Sequence, residues 1–143
     1  MPTVTVTKAI AAAPERVYDA WLDRGSVGEW LFATPDGEMK RVELDPCVGG
    51  EFNITEQRGD VTAVHRGRYV ELDRPRRLAF DFWVEPYAAE QVTRVSVDIA
   101  PGGQGSALTL MHEGVWEEWE KKTQEGWNRI LEGLASRMSQ ALN

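Results

Sequence analysis

The stretch "WEEWEKKTQEGWNRILEGLASRM", Trp116 to Met138, decides the fold. On a wheel turning about 100° per residue, Trp116, Trp119, Thr123, Trp127, Ile130, Leu131, Leu134 and Met138 gather into one stripe. Lys122, Glu125, Arg129, Glu132 and Ser136 fall opposite, which predicts one long amphipathic helix needing a broad apolar partner. Gly126 and Gly133 sit together on the flank of the stripe, although each weakens a helix by roughly 1 kcal/mol relative to alanine. Two glycines on one flank predict missing side chains where the helix crosses a strongly curved sheet at closest approach.

The residues before the helix supply that sheet. "TVTVTKAI" alternates in period two, as a strand with one covered face does. "APERVYDAWLDRG" carries Pro14 and Glu15 in its first turn, puts Val17, Ala20 and Trp21 on one face and stops at Gly25, a short helix. "SVGEWLF" follows with Ser26 and Glu29 at capping-box spacing, which predicts a second, shorter helix. Strand-like runs then succeed one another at 40–44, 51–57, 64–72, 78–84, 92–100 and 106–113. The breaks "DPCVGG", "RGD", "DRPRR", "EPYAAE" and "PGGQG" are short and rich in turn residues, so the strands form an antiparallel meander. The core lies between sheet and helix.

Composition narrows the classes. A chain of 143 residues, 42% hydrophobic, suits one domain over residues 1–143, with no repeat or linker. The lone cysteine, Cys47, forms no internal bridge, and "MPTVTVTKAI" lacks the basic patch and apolar run of a leader or membrane span, so a cytoplasmic protein without membrane insertion is expected. A formal charge of −7 opposes phosphate backbones, and nucleic acid is not an expected partner. His65, His112 and Cys47 are not paired at metal-site spacing, and the glycine-rich turns lack the lysine and following helix of a nucleotide loop. No metal and no cofactor are expected.

Five segments together carry a family resemblance: "APERVYDAWLD", the paired glycines of "CVGGEF", "GRYVELDRPRRLAFDFW", "LTLMHEG" and "EGWNRILEGL". In order and spacing they resemble the domain related to the activator of the Hsp90 ATPase, within the START-like superfamily that also holds polyketide cyclases. The resemblance implies an α+β helix-grip fold of the START or Bet v 1 type. A curved antiparallel sheet of about six to seven strands wraps the C-terminal helix, and the two short helices after the first strand help close a cavity. The chain departs from the pattern at Cys47, where relatives often carry arginine, and at Trp83 after Phe82 in the fifth strand. Relatives that stimulate Hsp90 carry a separate N-terminal domain, for which a chain filled by one fold has no room.

A helix and a curved sheet that diverge leave a hollow, the usual form of a small-molecule site. Strand parity places Leu108, Leu110 and His112 on the inner face, with Val95, Val97, Ile99, Leu78, Phe80, Phe82, Phe52 and Ile54. The expected lining is Trp30, Phe52, Tyr69, Phe80, Phe82, Trp83, Leu110, His112, Trp119, Trp127 and Ile130, and the expected guest a small apolar or aromatic molecule. Tyr69 and Glu71 share a face opposite Val70 and Leu72, and parity leaves open which pair faces in. His112 reads first as a hydrogen-bonded residue holding its strand to the last helix, then as a ligand contact, and last as a base. The leading function is ligand binding. A cyclase, dehydratase or hydrolase moving a proton through His112 or Glu71 is one alternative. A co-chaperone or other protein-interaction role is another, and a homodimer stays open.

Overall fold

The computed structural model describes residues 2–85 and 92–141. Seven antiparallel strands form one sheet: β1 (Val4–Ile10), β2 (Glu38–Leu44), β3 (Glu51–Arg58), β4 (Val61–Asp73), β5 (Arg77–Glu85), β6 (Thr93–Gly102) and β7 (Gly105–Glu113). Their spatial order is β1-β7-β6-β5-β4-β3-β2, a meander from β2 to β7 closed by β1 beside β7. The connection from β1 to β2 therefore crosses the whole sheet, and it carries α1 (Pro14–Ala20) and a single 3-10 turn at Val27–Glu29. The last helix, α2 (Glu120–Ala141), packs on the inner face, with Lys8 of β1 3.5 Å from Glu132. The expected turn "EPYAAE" lies almost wholly outside the described residues.

Parity decides burial as expected on four strands: Phe52, Ile54, Leu78, Phe80, Phe82, Val95, Val97, Ile99, Leu108 and Leu110 are all buried. At Gly67 of β4 an added Cβ would lie 2.1 Å from the ring of Phe52, its cross-strand partner. Only glycine lets that ring lie across the neighbouring strand.

Three expectations change. The capping box is not formed: the Ser26 hydroxyl donates to Asp23 at 2.8 Å, and Glu29 pairs instead with Arg137 of α2 at 2.6 Å. Trp116 and Trp119 are not on a buried stripe, because α2 begins at Glu120 and a 3-10 turn precedes it (Glu117–Trp119). A 100° wheel does not apply to that turn, and both indoles are exposed. Nor do the two helix glycines mark a close approach. A Cβ at Gly126 would meet nothing within 4 Å, and at Gly133 only Trp30 at an ordinary 3.7 Å.

Candidate ligand cavity

Aromatic side chains fill much of the space between sheet and helices. Trp21 of the segment after α1 meets Trp30 edge-on at 4.8 Å, and Tyr69, Phe52 and Phe80 pack against one another from β4, β3 and β5. Phe32 lies at the centre, stacked on His65 at 4.3 Å and on Phe82 at 5.1 Å. Its backbone has a φ of 62°, a left-handed conformation that bulky residues rarely adopt. Where this aromatic cluster ends, an open-mouthed cavity of about 400 Å³ remains between the first half of α2 and the ends of β4, β5 and β7. Its apolar border, taken as the floor, consists of Phe32, Phe82, Val84, Trp127 and Ile130; Thr34, His65, His112 and Thr123 border it as well, and the exposed Trp119 marks the mouth.

Each wall is fixed by a local device. Residues 32–34 are held by Glu56 of β3, whose side chain is fully buried. The Thr34 amide donates to Glu56 Oε2 at 2.8 Å and the Thr34 hydroxyl to Oε1 at 3.0 Å. Arg58, two residues along the same strand face, pairs with Glu56 and donates from Nη2 to the Phe32 carbonyl at 3.1 Å. Burial pushes the Glu56 carboxyl up, but the hydrogen bonds from Arg58 and Thr34 outweigh it and hold the group below its ordinary value. One ion pair, its carboxylate buried and its guanidinium partly exposed, thus braces the loop carrying the strained Phe32.

Two buried histidines border the cavity, and both are held near a pKa of about 4 chiefly by burial. They differ in what their nitrogens do. An indole N–H only donates, so Trp127 Nε1, 3.0 Å from His112 Nδ1, makes that nitrogen an acceptor. Nε2–H then donates to the Thr93 hydroxyl at 2.7 Å, which donates to the Phe82 carbonyl at 3.2 Å. Both nitrogens of His112 are thus occupied in joining β7, β6 and α2. His65 has the opposite tautomer. Its Nδ1 lies 3.0 Å from the Ile54 carbonyl, which only accepts, so the proton of the neutral ring sits on Nδ1. Nε2 is left with a lone pair and no partner among the described residues.

Of the expected lining, Phe82, His112, Trp119, Trp127 and Ile130 border the cavity together. Trp30, Phe52, Tyr69, Phe80 and Leu110 are buried in the packed core beside it. Trp83 lies half-buried on the outer face, in register with Arg66. The expectation that Tyr69 and Glu71 face the same way is overturned by a bulge at Val70, where the register shifts between Tyr69↔Phe80 and Glu71↔Ala79. Tyr69 turns in and is buried, where loss of solvent raises its phenol pKa. Glu71 turns out, accepting from Arg77 Nε at 2.9 Å. His112 and Glu71 therefore do not meet.

Sequence reasoning missed His65, Arg58, Thr34, Val84 and the row Lys122, Gly126, Arg129 on α2, all of which border the cavity. The alternation Ala63, His65, Gly67, Tyr69 marked His65 as inward, and Phe52, Ile54, Glu56 did the same for Glu56. Among the described residues no group of three or more His, Cys, Asp or Glu could hold a metal, and no helix is long and apolar enough to cross a membrane.

The same architecture recurs widely in solved structures. A crystal structure of a protein from Chromobacterium violaceum is 26% identical with a TM-score of 0.85, covering 95% of this chain and 96% of that one. The solution structure of a protein from Aeromonas hydrophila described as like the activator of Hsp90 ATPase is 22% identical, with a TM-score of 0.81 over 99% and 94% of the two chains. A Staphylococcus aureus protein described as of unknown function is 16% identical with a TM-score of 0.86 over 99% and 95%. A comparison with curated proteins finds no match. The model of one family, "Activator of Hsp90 ATPase homolog 1-like protein", matches residues 11–139, from the end of β1 almost to the end of α2. The motifs that run through those elements thus belong to the family they resemble, and this chain is a member of it.

Proposed function

We propose that this protein is a cytoplasmic binding module of one domain that holds a small, largely apolar or aromatic molecule between α2 and the sheet. The observation that carries the reading is the cavity of about 400 Å³ with its apolar floor, within the usual range of roughly 300–1,000 Å³ for small-molecule sites. The Glu56–Arg58 brace supports it, because a loop pinned by a buried carboxylate and its arginine partner keeps the cavity formed before a guest arrives. Proton transfer through His112 and Glu71 draws no support, since both nitrogens of the first are bonded within the protein and the second lies on the outer face.

A neutral fluorescent probe, N-phenyl-1-naphthylamine, tests the reading. Saturable binding at one site is expected, competed by other small aromatics and abolished by Gly126→Phe, which puts a ring into the cavity. Absence of saturable binding to the folded protein would overturn it.

A further inference from the structure

The charge around the cavity runs against the charge of the molecule. The chain has 23 acidic and 16 basic residues, yet every charged residue bordering the cavity is a cation: Arg58, Lys122 and Arg129. Lys122, Gly126 and Arg129 occupy positions i, i+4 and i+7 of α2 and so form one row along the helix. Gly126 sits between the two cations, and the space its side chain would take is empty to 4 Å. Neither Lys122 nor Arg129 has an ion-pair partner among the described residues, and Lys122 Nζ stands 5.4 Å above the ring of Trp119. Arg58 is fixed through Nε to Glu56 and through Nη2 to the Phe32 carbonyl, so Nη1 is left to donate.

Lys122 and Arg129 are exposed and unpaired among the described residues, so a guest covering this end of α2 would draw water away from them, which is unfavourable unless a counter-charge arrives with it. We propose that the ligand is an aromatic acid: a flat apolar body on the floor, with its anionic head at the mouth between Lys122 and Arg129. His65 supplies a second specification. Its ring is nine-tenths buried, borders the cavity and keeps the Nε2 lone pair without a partner among the described residues. It accepts a hydrogen bond, so the ligand body carries a donor, a ring hydroxyl, on the side away from the acid. This inference rests on the binding reading above and specifies its ligand.

Four probes of one shape separate the terms: 2-naphthamide, 2-naphthoate, 6-hydroxy-2-naphthoate and 2-naphthalenesulfonate, titrated by calorimetry at low and high salt. Both plain anions are expected to bind at least tenfold tighter than the amide, with most of that margin lost at high salt and in a Lys122→Gln/Arg129→Gln double variant. The 6-hydroxyl is expected to add roughly fivefold, an increment removed by His65→Phe, which keeps the flat ring on Phe32 but not the acceptor. If the amide binds as tightly as the anions, the charge inference fails while the binding reading stands. If the hydroxyl adds nothing, the assignment of His65 fails. If none of the four binds to folded protein, the binding reading itself fails.

Discussion

The indole of Trp127 donates to Nδ1 of His112 across 3.0 Å, so the first half of α2 is tied to the end of β7 by a buried hydrogen bond. Replacing Trp127 with phenylalanine leaves a buried ring nitrogen unpaired and also opens space in the core. A loss of about 2–4 kcal/mol is expected from denaturant unfolding. His112→Gln, which keeps one acceptor and one donor, should cost about half as much and leave the protein able to bind the naphthyl probe.

Stability should fall as the solution is acidified from pH 6.5 to pH 4. His65 and His112 titrate near 4 in the folded chain, against about 6.5 when unfolded. In that interval the unfolded state binds more protons, so acid favours it, and the stabilisation is fully present only above pH 6.5. At about 1.36 kcal/mol per unit, each histidine contributes a loss of roughly 2 kcal/mol by pH 5. Urea unfolding at pH 7 and pH 5 reads the difference; His65→Phe should remove about half of it. A flat profile would show that neither ring is held neutral.

Gly126→Ala should stabilise the protein. The new methyl group meets nothing, so only the helix preference of alanine acts, about 0.5–1 kcal/mol. That corresponds to roughly 3 °C in thermal midpoint. Larger residues at the same position should fold equally well but exclude the probe, in the order alanine, leucine, phenylalanine. A helix glycine retained at this cost is explained by the space it leaves.

Glu56→Ala should both destabilise the chain and loosen the cavity. Three hydrogen bonds to residues 34 and 58 are lost. Because Arg58 is partly exposed and can turn to water, the cost is discounted to about 2–3 kcal/mol. Probe affinity should drop several-fold as the loop carrying Phe32 relaxes from its left-handed backbone. Glu56→Gln should recover the bonds to Thr34 and part of both losses.

The sheet was legible because its information is local. Period-two alternation in "LAFDF", "RVSVDI" and "ALTLMH" fixes which side chains are buried, and turn residues fix where each strand ends. What escaped lay where regular geometry stops. The bulge at Val70 turns Tyr69 and Glu71 to opposite faces, and a 3-10 turn removes Trp116 and Trp119 from the helical stripe. Lys122 and Arg129 read as solvent-side on a wheel, and both are exposed; that they also border the cavity is a matter of reach, which a wheel does not record. The size of the hollow was beyond the sequence, since it depends on how far the stacked rings of Phe32, Phe52 and Phe82 fill it.

The placement of the first strand beside the last bears on how the chain is made. Val4 pairs with His112, about 110 residues later, so during synthesis the first strand must wait for all the residues between them to leave the ribosome. At about 5–20 residues per second the wait lasts several seconds, with one ribbon edge unprotected throughout, and closure over so long a loop is slow. A chaperone shielding the nascent chain would act on this interval.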